Sequence, residues 1–151
     1  MRVGVIYAPM LDELFYAASG KGAFLNHKKI QVSGVKKIES ALLATGFNPN
    51  EKGNNIPIFQ KVLPHIQGIR RAGSAALDMA YLASGRLDGY WEMAIFPWDI
   101  GAGIVLVKEA GGKITDLEGK ALQKNALSNG KPLTILATNG IIHQELKSMI
   151  H

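Results

Sequence analysis

The sequence LDGYWEMAIFPWDIGAGIVLVKEAGG, residues 87–112, places an apolar, aromatic segment directly before a second apolar segment. Leu87 to Met93 is rich in aromatic and aliphatic residues and predicts a strand. Pro97-Trp98-Asp99 predicts a turn, and Ile100 to Ala110 predicts a helix that ends at Gly111-Gly112. A strand followed closely by a helix is typical of α/β proteins, so this stretch indicates that fold class.

The residues on both sides of this stretch continue the alternation of strands and helices. Ser74 is predicted to cap the preceding helix, because a serine side chain can accept a hydrogen bond from a free amide of the first turn. Gly85 is predicted to end that helix, since glycine readily adopts the positive φ found there. The other predicted elements of this half are strands over Gln67–Arg71, Lys113–Asp116 and Leu133–Thr138, a polar loop over Gly119–Gly130 and a closing helix over Ile141–Ile150.

The first part of the chain predicts a meander of short antiparallel strands, in which apolar segments are separated by turn residues such as Gly20-Lys21-Gly22. The predicted strands are Val3–Ala8, Leu14–Ala18, Ala23–Leu25 and Lys29–Val32, followed by a strand over Ala41–Thr45, a polar loop over Gly46–Asn55 and a helix from Pro57 to about His65. No repeat, low-complexity tract or linker separates the two parts. Residues 1–151 are therefore predicted to form a single α/β domain.

The composition excludes several classes of protein. Of the 151 residues, 47% are hydrophobic and none is cysteine, which excludes disulfides, thiol catalysis and thiolate zinc sites. No apolar run approaches the roughly 18–20 residues of a membrane-spanning helix. Met1 to Tyr7 predicts a strand rather than a signal peptide. We therefore expect no membrane association and a cytoplasmic location.

The formal charge of +5 favours anionic partners, among them phosphorylated small molecules. The basic residues are scattered, with short pairs at Lys28-Lys29, Lys36-Lys37 and Arg70-Arg71, and aromatic residues do not alternate with them. Because nucleic-acid-binding proteins usually concentrate positive charge in a patch or stripe, nucleic acid is not the expected partner.

Two predicted helices begin with residues that have almost no side chain, at Gly73-Ser74-Ala75-Ala76 and at Asp99-Ile100-Gly101-Ala102-Gly103. Free amide groups and the helix dipole attract anions at such positions, and small residues let a ligand approach the backbone. The alternative is that small residues simply permit tight packing of helix on sheet, and spacing alone favours that alternative.

Two carboxylates are predicted at one rim of the sheet. Asp99 lies at the start of a helix, where it could serve only as the N-cap, with Trp98 as a core anchor. Glu92 lies near the end of a strand, where it either faces solvent by alternation or is retained for a ligand. Strand ends and helix starts are where α/β proteins bind ligands. Arg70 and Arg71 could add positive charge for a phosphate, although such pairs are more often simply solvated.

Several segments together resemble the inositol monophosphatase family. They are ATGF (44–47), GKGAFLN (20–26), RAGSAALDM (71–79), GRLDGYWE (85–92), PWDIGAG (97–103) and EAGG (109–112). The Trp-Asp-x-x-Ala-Gly pattern followed by Glu-Ala-Gly-Gly is the most specific part, and the resemblance covers nearly the whole chain. It implies a layered αβαβα fold and a magnesium-dependent phosphomonoesterase that acts on a small phosphorylated polyol such as inositol monophosphate.

The resemblance also implies roles for individual residues. Asp99 corresponds to the metal-ligating aspartate of the Trp-Asp motif, which also approaches the substrate hydroxyl, so it is the expected catalytic and Mg²⁺-binding residue. Glu92 matches a glutamate that contacts the polyol. The amides around Gly73, Ser74 and Ala75 match a stretch that lines the substrate site.

The chain departs from the family pattern in its metal ligands. The family's Asp-Pro-x-Asp-Gly-Thr motif and an earlier pair of glutamates are not found in this sequence, whose opening stretch contains only Asp12 and Glu13 as acidic residues. Two magnesium ions about 3.5–4 Å apart need several shared carboxylates. We therefore expect the chain to correspond to the C-terminal portion of the family fold and, alone, to lack a complete two-metal centre and to be inactive.

The same departure predicts a structural consequence. Without the neighbouring strands and covering helices, the strand Val3–Ala8 would have an open edge and an exposed apolar face. We therefore expect a homo-oligomer or association with a separate N-terminal fragment. Two alternatives stay open at this point: a non-catalytic remnant or interaction module, and, with less support, a basic RNA- or polymerase-associated protein.

Overall fold

Four short strands at the beginning of the chain form an antiparallel meander. In the computed structural model, which describes residues 1–47, 55–123 and 127–150, each of these strands pairs with the next one along the chain. The strands are β1 (Val3–Ala8), β2 (Glu13–Ala18), β3 (Gly22–Leu25) and β4 (Lys28–Ile30). This arrangement confirms the predicted meander and leaves β1 at an edge of its sheet.

A five-stranded sheet is assembled from the rest of the chain. Its strands are β5 (Leu42–Thr45), β6 (Gly68–Arg70), β7 (Gly89–Ile95), β8 (Lys113–Thr115) and β9 (Leu133–Thr138). They lie in the order β6-β5-β7-β9-β8. Strand β5 is parallel to both of its neighbours, whereas β9 is antiparallel to both of its own. The predicted loops over Gly46–Asn55 and Gly119–Gly130 lie partly outside the described residues.

Helices form a layer on each face of this second sheet. They are α1 (Ile56–Val62), α2 (Ala75–Ala83), α3 (Pro97–Glu109) and α4 (His143–Ile150). Helices α2 and α3 lie between the two sheets, and α1 and α4 pack on the opposite face. Each face of the second sheet has its own hydrophobic core. Along β7, Tyr90 belongs to the core that includes α2 and α3, and Trp91 belongs to the core that includes α1 and α4, as expected from the alternation of side chains in a strand. The resulting order of sheet, helices, sheet and helices confirms a layered α/β fold; the assignment of a single domain stays a prediction.

None of the helices in the described part of the chain combines the length and the apolar character needed to cross a membrane.

Helix α3 lies in close contact with the elements on either side of it. A Cβ atom at Gly4 of β1 would overlap the backbone oxygen of Ala102 in α3. On another side, a Cβ atom at Gly103 would lie 2.6 Å from Cβ of Met79 in α2, closer than such atoms approach in proteins. The small residues at the start of α3 therefore permit close packing of the helix. For this segment, the residue spacing favours such packing over a ligand site.

The last residue of α3 also holds a turn of the meander. Both carboxylate oxygens of Glu109 accept backbone hydrogen bonds, from Gly20 and Gly22, each at 2.9 Å. These hydrogen bonds lower the pKa of the Glu109 carboxyl. The fold thus joins two segments that are far apart in the sequence, namely Gly20-Lys21-Gly22 and the start of Glu109-Ala110-Gly111-Gly112.

Helix α3 begins at Pro97, three residues earlier than predicted. Phe96 is its N-cap with extended backbone (φ −84°, ψ 149°), and Pro97 occupies the first turn, where its missing N–H costs nothing. Asp99 is therefore the third residue of the helix and not its N-cap. Trp98 is also not a core anchor, because its side chain is 68% exposed and stacks on the ring of Phe96 at 4.7 Å between centroids.

A buried histidine joins α4 to the sheet. His143 is 1% exposed, with Nδ1 2.9 Å from the hydroxyl of Thr138 and Nε2 3.1 Å from the hydroxyl of Thr115. Burial lowers the pKa of His143 to about 4, and the positive charges of Lys113 and Lys147 act in the same direction. The imidazole is therefore neutral in the folded protein at neutral pH.

We predict that His143 makes folding sensitive to acid. Its folded pKa of about 4 lies below the ordinary pKa of histidine, about 6.5. Between these two pH values the unfolded chain binds the proton more readily, so stability falls as the pH falls. Urea unfolding at pH 7 and pH 4.5 should show an extra loss of about 2 kcal/mol in the wild type relative to His143→Gln. Equal losses in both proteins would contradict this assignment.

Candidate functional site

A cavity of about 470 Å³ lies where the ends of β5 and β7 meet the first turns of α2 and α3. It contains all five residues that the sequence singled out: Gly73, Ser74, Ala75, Glu92 and Asp99. The other residues that line it are Thr45, Gly46, Phe47, Arg71, Ala76, Asp78, Ile95 and Trp98. The structure thus brings the predicted residues together at one place, although they lie up to 26 positions apart in the sequence.

The first turn of α2 forms one wall of the cavity. Ser74 caps the helix as predicted, since its hydroxyl accepts a hydrogen bond from the amide of Leu77 at 3.3 Å. Gly73 precedes it at φ +82°, a conformation that favours glycine. The first amides of a helix have no partner within the helix, so this wall presents hydrogen-bond donors. Gly73, before α2, lines the cavity, whereas Gly101 and Gly103, near the start of α3, do not.

Glu92 forms the opposite wall. Its carboxylate accepts a hydrogen bond from the hydroxyl of Tyr90, and any Cβ atom at Gly46 would overlap it. Burial raises the pKa of Glu92, and the negative charge of Asp99 adds to that effect, whereas the hydrogen bond from Tyr90 and the charge of Arg71 oppose it. The carboxylate is therefore held in a narrow seat between Tyr90 and Gly46.

A β-bulge separates Glu92 from the start of α3. Glu92 pairs with Ile135 and Ile95 with Leu133, so β7 has one more residue than β9 over this interval. Ala94 within the bulge has φ +57°, which is uncommon for a residue other than glycine. The sequence gives no signal for this bulge, because the position that needs the left-handed conformation is occupied by alanine.

Arg71 contributes positive charge at the edge of the cavity. Its Nη2 donates to the backbone oxygen of Phe47 at 3.2 Å, and its guanidinium lies 5.8 Å from the centroid of the same ring. Arg70 does not line this cavity, and its Nη1 donates to the backbone oxygen of Ile69 at 3.1 Å. Of the two arginines that the sequence suggested for a phosphate, only Arg71 lines this cavity, although both line a second cavity beside it.

Asp78 is a cavity residue that the reasoning from sequence missed. It is 3% exposed, and its Oδ1 is buried without a hydrogen-bond partner among the described residues. Burial raises the pKa of Asp78 to about 7, and the charge of Glu92 contributes to the increase. The available signal was its spacing, since Asp78 lies one helical turn after Ser74 and therefore on the same face of α2.

The cavity offers magnesium the right kind of ligand. Mg²⁺ prefers oxygen donors and is commonly bound through one or two carboxylates together with water and substrate phosphate. Asp99 supplies a partly exposed carboxylate at the cavity, close enough to Glu92 for their charges to interact. Within residues 1–47, 55–123 and 127–150, no group of three or more acidic or histidine side chains is placed to hold a metal ion. Among the described cavity residues, Asp99 offers the kind of ligand that a magnesium ion prefers.

The comparison with known proteins assigns the chain to a family. A family model described as the inositol monophosphatase family matches residues 1–151. The chain belongs to the inositol monophosphatase family. Its similarity to an inositol-1-monophosphatase of Synechocystis sp. is 48% identity over 151 residues, which is 98% of this chain and 50% of that protein. A fructose-1,6-bisphosphatase/inositol-1-monophosphatase of Thermotoga maritima is 39% identical over 151 residues, 100% of this chain and 56% of the relative.

Solved structures of the family show the same fold. The structure of an inositol monophosphatase from Anabaena (Nostoc) sp. superimposes with a TM-score of 0.90 at 45% identity, over 99% of this chain and 58% of that one. This confirms the resemblance on which the expected fold rests. The chain spans about half the length of the curated relatives it matches.

We predict that Gly46→Ala displaces Glu92 from its seat. The added methyl group would overlap the carboxylate and break its hydrogen bond to Tyr90. The end of the flexible Glu92 side chain can move away, so thermal or urea unfolding should show a destabilisation of about 1 kcal/mol, the usual contribution of the hydrogen bond that is lost.

Gly34→Ala is the matched control. Nothing lies within 4 Å of a Cβ atom at that position. Its stability should therefore stay within about 0.5 kcal/mol of the wild type. If Gly46→Ala proves as stable as Gly34→Ala, the close contact between Gly46 and Glu92 is wrong.

Proposed function

We propose that this chain supplies the polyol-binding side and one magnesium position of a phosphomonoesterase that acts on a substrate similar to inositol monophosphate. The observation that carries the proposal is that Asp99, Glu92 and the Gly73-Ser74-Ala75 segment line one cavity. The resemblance to the family implies their roles, and their common position at one cavity supports the proposal that they contact one small ligand. A cytoplasmic location is part of the same proposal.

The residues around the cavity have complementary tasks in this proposal. Glu92 accepts hydrogen bonds from hydroxyl groups of the polyol, and the charge on its carboxylate is favoured by Tyr90 and Arg71. The amides that follow Gly73 donate to the ligand from the wall formed by α2. Arg71 attracts the phosphate group to the cavity through its positive charge. Its guanidinium contacts the backbone oxygen and the ring of Phe47, which are neutral groups and do not cancel that charge. These contacts orient the ester before the chemical step.

Asp99 would hold a magnesium ion at the first turn of α3. When bound, magnesium polarises a phosphate ester and lowers the pKa of water, which is the chemistry that hydrolysis requires. One carboxylate binds this strongly hydrated ion weakly, so the remaining ligands of a two-ion site come, in this proposal, from residues that the chain does not contain. The alternative of a non-catalytic interaction module would retain the cavity without hydrolysis.

We propose that a second polypeptide, which completes the enzyme, packs against the outer face of the meander sheet. Val3, Val5 and Tyr7 of the edge strand β1 project from this face with exposed fractions of 63%, 55% and 54%. The family relatives are about twice as long as this chain, so a polypeptide of similar size is available to cover the face. We therefore propose that the occupant corresponds to the part of the relatives that this chain does not span.

We predict that hydrolysis requires both parts and depends on Asp99. Phosphate release from inositol monophosphate with magnesium should be absent for the chain alone. It should appear on addition of the half of the Synechocystis relative that the chain does not cover. Asp99→Asn should reduce the rate at least about 100-fold, because loss of a metal ligand removes several kcal/mol of transition-state stabilisation.

Glu118→Gln is the control for this experiment, because Glu118 is an exposed carboxylate outside the cavity. It should leave the rate unchanged. Activity of the chain alone that survives Asp99→Asn would show that the site is wrongly assigned. An assembled complex that binds the ester without hydrolysing it would favour the interaction module.

A further prediction concerns the exposed sheet face. Sedimentation of the chain alone should show self-association or strong binding of a dye specific for exposed apolar surface, and the replacements Val3→Lys and Val5→Lys should weaken both. The other half of the relative should compete with the dye. A compact monomer that binds no dye would contradict the proposed covering of this face, and a stable dimer that excludes the other half would assign the face to a second copy.

A further inference from the structure

Two buried aspartates of this chain differ in their hydrogen bonds. Asp88 is 5% exposed, and its carboxylate accepts hydrogen bonds from the hydroxyl of Ser33 and, at 2.7 Å, from the amide of Leu42. Asp78 is 3% exposed, but its Oδ1 has no partner among the described residues. A buried carboxylate oxygen without a donor disfavours the charged form, so the two side chains are not equivalent.

Asp78 lies between two cavities. It lines the candidate site together with Glu92, and it also lines a second cavity of about 480 Å³ beside Arg70 and Arg86. Arg86 is already paired with Glu13, at 2.5 Å between Nη2 and Oε1. In the part of the chain that the structure describes, no arginine forms an ion pair with Asp78. The nearby positive charges therefore do not neutralise its carboxylate through direct contact.

Tyr90 distinguishes the two carboxyl groups of the candidate site. Its hydroxyl has one proton, and it donates that proton to Glu92. Glu92 is also stabilised by the charge of Arg71, and it is less deeply buried than Asp78. Two neighbouring carboxylates in a poorly solvated site do not both ionise readily, so the negative charge resides on the one with donors.

We propose that Asp78 is a positioning residue for Glu92: below neutral pH it is a neutral carboxylic acid, so that Glu92 is the single charged member of the pair and stays seated between Tyr90 and Gly46. The proton state of Asp78 is independent of the proposed function. The consequence for ligand binding rests on that function, because it requires Glu92 to contact the polyol.

The proposal has a defined dependence on pH. The raised pKa of Asp78, about 7, means that its proton is lost as the pH rises through neutrality. A second negative charge then appears beside Glu92 and repels it from its seat. The titratable and charged groups that surround Asp78 are Glu92 and Tyr90 on β7, Asp99 on α3, Tyr81 on α2 itself, and Arg70, Arg71 and Arg86 on the segments before and after α2.

Carbon-13 NMR of the side-chain carboxyl groups, recorded on the full chain without ligand, tests the proton state directly. One aspartate should titrate near pH 7, and its signal should be absent from Asp78→Asn. The Glu92 signal should keep its midpoint within a few tenths of a unit in that variant, because asparagine preserves a neutral hydrogen-bonding group. An Asp78 midpoint near 4 would overturn the proposal, as would a fall of one unit or more for Glu92.

Asp88→Asn is the matched control. It replaces a buried carboxylate that has donors, so it should lower the urea midpoint at all pH values. Relative to the wild type, Asp78→Asn should have a higher urea midpoint at pH 8 than at pH 4.5. The unfolded chain ionises Asp78 near pH 4, whereas the folded protein keeps the proton up to about pH 7, so the wild type loses stability as the pH rises between these values. Similar destabilisation by both variants at pH 4.5 would mean that Asp78 is already charged in the folded protein well below neutral pH, and would overturn the proposal.

A binding experiment then tests the consequence for the site. Inositol monophosphate and magnesium are titrated into the chain assembled with the other half of the Synechocystis relative, at pH 6.5 and 8.5. The affinity of the wild type should fall about tenfold more than that of Asp78→Asn, equivalent to about one unit of pKa. If the wild type does not bind the ester at either pH, the proposed function fails, while the NMR result still decides the state of Asp78. Binding with equal pH dependence in both proteins would overturn the positioning role.

Discussion

The irregular end of β7 is the constraint on which the candidate site depends. The bulge between Glu92 and Ile95, with Ala94 at φ +57°, ends the regular pairing with β9 and directs the chain to Phe96 and the first turn of α3. A non-glycine residue in this conformation costs on the order of 1 kcal/mol or more. The flanking pairs of β7 with β9 hold the chain on both sides, so the fold maintains this conformation where Glu92 and Asp99 must face the same cavity.

The electrostatics of the cavity follow from this convergence. Three carboxyl groups, those of Asp78, Glu92 and Asp99, share a space in which they do not all ionise readily, and Arg71 also lines this space. Such an arrangement is unfavourable for the protein alone and favourable for a bound cation, because the ion removes the repulsion. Burial is the largest cause of the raised pKa of Asp78 and of Glu92, and a neighbouring carboxyl group adds to it in each case. Strain and like charge therefore occur at the same end of the same strand.

Local patterns in the sequence were sufficient for the meander and for the cap at Ser74, because turn residues and alternation act over a few positions. They could not show that β5 pairs with β6 and β7, since that choice depends on hydrogen bonds between distant segments. The start of α3 was misjudged because Pro97 suits both a turn and the first turn of a helix. The site residues came from the resemblance to the family, and Asp78 was missed because burial cannot be deduced from an acidic residue near a helix start.

The proposed metal position lies outside the hydrophobic cores of this chain. The two hydrophobic cores consist of apolar side chains on both faces of the five-stranded sheet, and Asp99 and Glu92 belong to neither. A metal at Asp99 would thus contribute chemistry and not the stability of the fold, unlike structural zinc sites, whose ligands hold small domains together. The contacts proposed for the polyol also lie within this chain. In the proposed arrangement, recognition of the polyol belongs to the described residues, and the rate of hydrolysis depends on how a second set of carboxylates is placed beside them.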